Sequence, residues 1–337
     1  MPANLSPEYK AAEAAFRATR EPRERLECLR EMLRTIPKHK GTEHLQADIK
    51  ARIKDLSEQL DSGKKGGGHG GPALVIRPEA AAQIALLGPP NSGKSALHGR
   101  LTGSVAPVAP YPFTTQFPQP GMMPHEDIFF QLIDLPPIAA EHPVPWIGSA
   151  LQTADAALLV VDLGEPECVE HVQAVGSILA GRRVTLTEQW TATGADRAAA
   201  EDVFSVRLPT LLLANKADLI ADPATELRTL RDLTGLPFPA LAVSAETGLG
   251  LGELGPWLFT NLGIVRVYTK VPGHAVDRQR PFTLRRGQTV GDVARMVHRD
   301  LVRTLRYARL WGPSGFDGQT VGPEHQVADG DVVELHT

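Results

Sequence analysis

One eight-residue segment constrains the fold of this 337-residue chain more than any other: Gly88–Ser95, which reads GPPNSGKS and matches G-x-x-x-x-G-K-[ST]. It follows an apolar run, Ile84–Leu87, and precedes a helical pattern at Ala96–Leu101. A glycine-rich turn between a strand and a helix lets backbone N–H groups surround phosphate oxygens at the positive end of the helix. Lys94 would bridge the terminal phosphates and Ser95 would bind Mg²⁺. The predicted phosphate-binding residues are Gly88, Asn91, Ser92, Gly93, Lys94, Ser95 and Ala96.

Four more short apolar runs follow, separated by helical segments: Ile128–Ile133, Ala156–Val161, Thr210–Ala214 and Leu241–Val243. Continuous apolar runs of this length indicate strands of a mostly parallel sheet that is covered on both faces. The sequence therefore predicts an α/β fold with a P-loop nucleotide domain.

Both ends of the chain have a different pattern. Apolar stripes with helical spacing predict a helical hairpin or bundle over residues 1–62, and the glycine-rich segment that follows predicts a linker over 63–79. After a nucleotide domain at 80–263, residues 264–337 combine extended segments with one helix, which predicts a small β-rich domain. The predicted extended segments are Ile264–Lys270, Arg280–Leu284, Arg306–Trp311 and Val332–Leu335.

Composition excludes several classes of protein. No apolar run approaches the roughly 20 residues that a membrane span needs, so no membrane partner is expected. Cys28 and Cys168 lack C-x-x-C spacing, which excludes a disulfide framework and a cysteine zinc site and favours the cytoplasm. Residues 67–263 carry 10 Lys/Arg against 20 Asp/Glu, whereas each end has an excess of three positive charges. This asymmetry suggests anionic partners at the ends, although a solvated surface gives the same count.

Three further motifs predict a guanine nucleotide and its metal. Asn215-Lys216-Ala217-Asp218 follows a strand, and the carboxylate of Asp218 could accept hydrogen bonds from both N1–H and the exocyclic amino group of guanine. Ser244-Ala245-Glu246 follows the next strand, where a backbone N–H could meet the guanine oxygen. Asp134 ends a strand, in position to hold Mg²⁺ through water. An ATPase on the same fold would have to bind its base without a hydrogen bond to Asp218.

Taken together, these motifs resemble the developmentally regulated GTP-binding (DRG) proteins of the Obg-like GTPases, over nearly the whole chain. The similarity also includes Pro37–Glu43 (PKHKGTE), the glycine-rich hinge, Tyr111–Thr115 (YPFTT), Asp134-Leu135-Pro136, and the TGS-like segments Arg266–Lys270 and Trp311-Gly312. It implies a cytoplasmic GTPase with a C-terminal TGS-like β-grasp domain that acts with ribosomes or RNA, and with a regulatory protein partner.

The resemblance also assigns roles to residues. Thr115 would be the switch threonine that reaches Mg²⁺ when the terminal phosphate is present, and both Thr114 and Thr115 are expected to contact the nucleotide. Lys94, Thr115 and Asp134 would then act in hydrolysis. Asn91 stands where potassium-stimulated relatives keep an asparagine, which adds K⁺ to Mg²⁺ as an expected cofactor.

The chain departs from the family pattern in two places, and the first departure changes the expected activity. The family reads D-x-P-G after the magnesium aspartate, whereas this chain has Pro137, which cannot donate a backbone N–H to the γ-phosphate. Ile138 follows, where many GTPases place a glutamine that orients water. Relatives with an apolar residue there hydrolyse by other means, so Ile138 alone does not imply inactivity. We therefore expect weak γ-phosphate sensing and slow hydrolysis; the alternative is a nucleotide-binding scaffold that docks on ribosomes or RNA without useful hydrolysis. A polar insertion is expected at Gly181–Ser205.

A stripe of arginines is a second candidate for contact with RNA. A predicted helix, Val290–Thr304, carries Arg295, Arg299 and Arg303 at i, i+4 spacing, which suits RNA phosphates and a solvated helix face equally well. Trp311 is predicted to be a core residue more than a base-stacking one.

Overall fold

The computed structural model describes residues 5–19, 21–37, 40–62, 75–104, 115–190, 204–298 and 300–337. Predictions for the glycine-rich hinge (63–72), for Tyr111–Thr114 and for Arg299 lie outside the described residues, as does the part of the expected insertion between 191 and 203.

Three helices open the chain: α1 Pro7–Ala18, α2 Pro22–Thr35 and α3 Glu43–Ser62, the last preceded by a 3₁₀ turn at Lys40–Thr42. The first begins where Ser6 Oγ accepts a hydrogen bond from the backbone N–H of Tyr9 at 3.1 Å. Their apolar stripes pack on each other, and the buried cluster also contains Phe204, whose ring meets that of Phe16 edge-on at 6.1 Å. The three helices therefore share one apolar core, which also contacts the segment before strand β6.

In the part of the chain that the structure describes, the central sheet has seven strands. They are β1 Ala82–Leu87, β2 Gln119–His125, β3 Ile128–Asp134, β4 Ala156–Asp162, β5 Val184–Thr187, β6 Val206–Asn215 and β7 Ala240–Ala242. Their order is β2-β3-β1-β4-β6-β5, and β7 pairs with the carboxyl-terminal half of β6. Strand β2 is antiparallel to β3, and the other pairs are parallel.

Helices cover both faces of this sheet. They are α4 Lys94–Thr102, α5 Ile147–Ala150, α6 Cys168–Ala180, α7 Pro223–Thr234 and α8 Leu251–Asn261, with 3₁₀ turns at Leu151–Thr153 and Ala217–Leu219. Successive residues of β4 alternate between two buried apolar clusters, Leu158 and Val160 in one and Leu159 and Val161 in the other. Burial on both faces explains the continuous apolar runs, and the predicted α/β class is confirmed. No described helix is both long and apolar enough to cross a bilayer.

The expected polar insertion at 181–205 is wrong for its described part. Val184–Thr187 is strand β5, which pairs in parallel with β6. Trp190 is buried, and its ring meets that of Trp257 at a centroid distance of 4.5 Å. A four-residue edge strand beside Arg182 and Arg183 has too little apolar pattern to be distinguished from a loop in the sequence.

The C-terminal unit is a second, five-stranded sheet with two short helices. Its elements are β8 Ile264–Thr269, β9 Asp277–Arg285, α9 Val290–Val297, α10 Leu301–Thr304, β10 Tyr307–Trp311, β11 Gln319–Val321 and β12 Asp331–His336. The strand order is β11-β10-β12-β8-β9. Val290 and Val293 of α9 pack on one face of this sheet. The single helix predicted at Val290–Thr304 is wrong, because His298 has extended backbone and ends α9.

Charged side chains join the C-terminal sheet to the turn between β2 and β3. Arg266 donates to Asp127 at 2.9 Å and also to Glu126 and Asp329, and the Tyr268 hydroxyl donates to Asp127 at 2.5 Å. This turn lies at the amino end of β3, so the junction is at the edge of the central sheet opposite the P-loop.

Candidate nucleotide site

The predicted phosphate loop lies between β1 and α4, and two of its glycines are required by space. Gly88 has φ +150°, and a Cβ there would lie 2.2 Å from the carbonyl oxygen of Val160. Gly93 has φ +89°, and its Cβ would lie 2.1 Å from Nδ2 of Asn215. Any side chain at either position would therefore push the loop away from strands β4 or β6.

The loop ends at a helix terminus that suits an anion. Gly93 has a left-handed backbone conformation and directly precedes the first residue of α4. No side chain in the described part of the chain caps that end of the helix. Asn91 is exposed and also left-handed, at φ +59°. The first N–H groups of α4 lack acceptors within their helix, and the helix dipole favours negative charge there. This end of the helix can therefore receive phosphate oxygens.

Lys94 is buried within the loop. Its Nζ donates to the carbonyl oxygens of Pro89 at 2.7 Å and Gly88 at 3.1 Å, and it lies 3.4 Å from Ser92 Oγ. Burial lowers the pKa of the ammonium group to about 8, against the opposing effect of Asp134. Carbonyl oxygens of the loop itself thus hold the lysine, and part of its population is neutral near pH 8.

This pKa predicts a pH-dependent nucleotide affinity. Phosphates favour the charged ammonium, so its pKa is higher in the complex and binding takes up a proton where the free lysine is neutral. We expect GDP affinity to fall about fourfold between pH 6.5 and 8.5, with about half a proton taken up at pH 8. Calorimetry in buffers of different ionisation enthalpy measures both quantities. The Lys94→Arg variant should give a flat profile, since arginine stays charged; a flat wild-type profile would contradict the assignment.

Three oxygen-bearing side chains from different elements meet beside the loop. Ser95 Oγ donates to Asp134 Oδ2 at 2.6 Å and lies 3.1 Å from Thr115 Oγ1, which is 3.3 Å from the same carboxylate oxygen. The other oxygen, Asp134 Oδ1, is buried and has no hydrogen-bond partner among the described residues. Hard oxygen donors with an unsatisfied buried carboxylate oxygen fit Mg²⁺. These are the three predicted metal residues.

Asn215 connects two loops of the site. Its side chain is buried; Nδ2 donates to the carbonyl oxygen of Ser92 at 3.0 Å, and Oδ1 accepts from the backbone N–H of Ala245 at 3.1 Å. Both ends of the amide are therefore used within the protein. Asn215 positions the phosphate loop against the Ser244–Glu246 loop.

The other base-side residues lie around this bridge. Asp218 is exposed on the 3₁₀ turn, where its carboxylate is accessible to a base. Lys216 has left-handed backbone, and its Nζ contacts Asp162 Oδ2 at 2.5 Å. In the neighbouring loop Ser244 is buried, with its Oγ accepting from Thr247 N–H at 3.0 Å, and Glu246 is exposed.

Comparison with protein families agrees with this geometry. Residues 83–189 match the model of a family described as 50S ribosome-binding GTPases, and residues 265–337 match the TGS domain. The chain thus combines a region that matches this GTPase family with a TGS domain.

The relatives of this chain align with most of its length. An uncharacterized GTP-binding protein of Methanocaldococcus jannaschii is 29% identical over 93% of this chain and 92% of its own. Developmentally-regulated G-protein 2 of Arabidopsis thaliana is 28% identical over 90% and 88%, and the developmentally-regulated GTP-binding protein 2 homolog of Dictyostelium discoideum is 28% identical over 90% and 96%. The resemblance to DRG proteins is confirmed.

Among solved structures, the Schizosaccharomyces pombe YchF GTPase has a TM-score of 0.52 and 14% identity, over 78% of this chain and 100% of that one. At this identity the similarity concerns the fold alone.

The segment after Asp134, where the sequence has proline instead of the glycine of D-x-P-G, packs against the phosphate loop. Pro136, Pro137 and Ile138 are all buried, and the N–H of Ile138 donates to the carbonyl oxygen of Gly88 at 3.0 Å. Pro137 has no N–H, and that of Ile138 is bound to the phosphate loop. Neither residue therefore has a free backbone donor for a γ-phosphate.

Asp162 was missing from the predicted site. It ends β4 and accepts from Lys216, while its Oδ1 accepts from Gly164 N–H at 3.0 Å. An acidic residue directly after an apolar run, at the carboxyl edge of the sheet, was the signal that could have identified it.

Proposed function

We propose that this protein is a regulatory GTPase that binds GTP and GDP with Mg²⁺, hydrolyses GTP slowly and acts with ribosomes or RNA in the cytoplasm. The observation that carries the proposal is the convergence of Ser95, Thr115 and Asp134 beside a phosphate loop that Asn215 connects to the base side. The proposed organisation is a helical region at 1–62, a linker at 63–79, a nucleotide domain at 80–263 and a TGS domain at 264–337.

Each group has a role that follows from its position. Lys94 exchanges loop carbonyl oxygens for phosphate oxygens, and the N–H groups at the start of α4 donate to the same phosphates. Ser95 and Thr115 would bind Mg²⁺ directly and Asp134 through water; the bound ion neutralises charge on the phosphates. Asp218 accepts from guanine. In the neighbouring loop the N–H of Ala245 is bound to Asn215 and that of Ser244 to the carbonyl oxygen of Leu249, so the N–H of Glu246 is the one that would donate to the guanine oxygen. The exposed Asn91 is proposed to bind K⁺.

Slow hydrolysis follows from Pro137 and Ile138. With no donor at 137 and the N–H of Ile138 bound to Gly88, the γ-phosphate contributes little to the order of this segment. The apolar side chain of Ile138 is 4% exposed and cannot orient water. These observations also favour the second candidate, a nucleotide-binding scaffold without useful hydrolysis.

Phosphate release in a single turnover separates the two candidates. For the GTPase we expect a slow rate, on the order of 10⁻⁴ to 10⁻³ per second, which is lost in the Lys94→Ala variant. Equal phosphate release from the wild type and that variant would favour the scaffold.

Nucleotide titration of the wild type should give GTP and GDP affinities within about tenfold of each other, roughly 1.4 kcal/mol.

The Pro137→Ala variant tests whether the missing N–H at position 137 causes the weak γ-phosphate sensing. Alanine can adopt the φ of proline and supplies the missing N–H. We expect this variant to increase the preference for GTP over GDP, and a wild-type preference above about tenfold would contradict weak sensing.

Association with ribosomes or RNA is supported by the description of the matched GTPase family and by the excess of positive charge at both ends of the chain. A regulatory protein partner is proposed from the similarity to DRG proteins.

A further inference from the structure

We propose that the open half of the TGS sheet, formed by β10 and β12 together with the loop 312–318, is a binding site for single-stranded RNA. This inference rests on the proposed association with RNA and assigns it to particular side chains. The residues that would make contact are Tyr307, Arg309, Trp311, Phe316, Lys270 and His336.

Side-chain alternation separates the two faces of this sheet. Ala308 and Leu310 of β10 point into the core beneath α9, so Tyr307, Arg309 and Trp311 lie on the opposite face. On β8 that face carries Arg266 and Tyr268, which contact the β2–β3 turn. On β10 the same face is accessible to solvent, because Arg309 is exposed and Tyr307 and Trp311 are partly exposed.

The open half carries aromatic rings at both ends. Tyr307 and His336 are paired across β10 and β12, and their rings stack with centroids 4.5 Å apart and planes 9° apart. Trp311 is four residues further along β10, about 13 Å from Tyr307. Aromatic side chains on an open sheet are the surface on which some RNA-binding domains stack two or three bases.

Phe316 follows β10 in the chain, and its aromatic side chain is not buried in the core. Its side chain is 84% exposed, in the loop that follows Trp311. The loop is nevertheless fixed, since the N–H of Phe316 donates to Gln319 Oε1 at 2.8 Å and the N–H of Gln319 donates back to the Phe316 carbonyl at 2.9 Å. A large exposed aromatic side chain on a fixed loop is suited to stacking on a base with little loss of entropy.

The charges on this half are mixed: Arg309 is the exposed cation of the strand face, and the neighbouring loop carries Asp317, which is also exposed. Glu334 is the acidic residue at the centre of this half, but it is 5% exposed and contacts Lys270 at 3.3 Å and His336 at 2.8 Å. Lys270 Nζ also lies 4.4 Å from the centre of the Trp311 ring. The exposed charge directly opposite Glu334 is Arg309. An arginine between two aromatic positions is the pattern of single-strand binding, in which bases stack and the cation contacts the backbone.

The helix side of the domain fits RNA less well. Arg295 is paired with Asp292 at 2.7 Å, and Arg303 belongs to a separate short helix, α10. The exposed side chains next to them, Met296 and Val302, are aliphatic and do not stack on bases. The stripe expected from the sequence is therefore interrupted, and the sheet face is the better candidate.

Fluorescence anisotropy with a labelled single-stranded oligouridylate tests the assignment on the full chain with GDP and Mg²⁺. We expect Phe316→Ala and Tyr307→Leu each to weaken binding fivefold or more, in the range for loss of one stacked base. Arg309→Gln should reduce the salt-dependence slope by about one. The matched controls are Phe129→Ala, an exposed phenylalanine on the central sheet, and Arg295→Gln on α9; each should change affinity less than about twofold.

Three results would overturn the proposal. They are the absence of RNA binding by the wild type, a larger effect of Arg295→Gln than of the sheet variants, and loss of ribosome co-sedimentation in Phe316→Ala while its affinity for free RNA is unchanged. The last result would indicate that this face of the sheet binds a protein instead of RNA. GDP affinity, measured in parallel, should be unchanged in every variant. Failure of the wild type to bind GDP would contradict the proposed GTPase instead, whatever the RNA result.

Discussion

The Asp218→Asn variant is expected to bind GDP at least about 100-fold more weakly than the wild type and to prefer xanthine nucleotides. A carboxylate accepts hydrogen bonds from both N1–H and the amino group of guanine, and each bond to a charged group contributes about 1.5–3 kcal/mol. The asparagine amide has one oxygen and one NH₂ group. Its NH₂ group would face the amino group of guanine, which is also a donor, but it can donate to the oxygen that xanthine has at that position. Displacement of a fluorescent GDP analogue by GDP, XDP and ADP measures all three affinities.

Asp222→Asn is the matched control for this substitution. Asp222 lies four residues further along, and its side chain caps α7 by accepting from Thr225 N–H at 3.2 Å. Asparagine caps a helix nearly as well as aspartate, so the affinity for GDP should stay within about twofold of the wild type. An unchanged preference for guanine in Asp218→Asn would contradict the assignment. Tight ADP binding by the wild type would favour an ATPase.

Removing the Asn215 side chain should have the second largest effect. In Asn215→Ala the carbonyl of Ser92 and the N–H of Ala245 both lose their partner, at a cost of about 1–3 kcal/mol for each buried group. Because these groups belong to the phosphate loop and the base loop, the loss should separate the two halves of the site. We expect GDP to dissociate about 10- to 100-fold faster, with the free energy of unfolding lower by about 2 kcal/mol. Stopped-flow release of a fluorescent GDP analogue and urea denaturation measure the two quantities.

The Asn261→Ala variant controls for loss of an asparagine elsewhere. Its Nδ2 donates to the carbonyl oxygen of Trp257 at 2.8 Å, at the end of α8 and within one helix. GDP release should be unchanged in this variant. If Asn215→Ala released GDP at the wild-type rate, the bridge between the two loops would have no part in holding nucleotide.

The sequence indicated a candidate site because its motifs are local. Gly88, Lys94 and Ser95 lie within eight residues, and backbone geometry over a short turn is set by the residues in that turn. Asp134 and Asn215 could be placed for a second reason. Each follows a buried strand, and parallel strands bring their carboxyl ends to one edge of the sheet. The functions of such residues can be predicted before their contacts are known.

Predictions failed where an element depended on its neighbours. Strand β5 is short and beside arginines, and it is a strand because β6 supplies hydrogen-bond partners. Trp190 gave no sequence signal of burial, since its partner Trp257 is distant in the chain. The helix at Val290–Thr304 has a continuous amphipathic pattern but ends at Val297.

The sequence by itself determined the α/β class, the phosphate loop, the base motif and the missing donor at Pro137, because each of these follows from residue chemistry or local spacing. Only the tertiary structure decided that Asn215 joins two loops and that the N–H of Ile138 is bound to Gly88. It also decided which half of the TGS sheet remains accessible to solvent. These features depend on contacts between residues distant in the chain, and hydrophobic patterning specifies which face of an element is buried without specifying its partner.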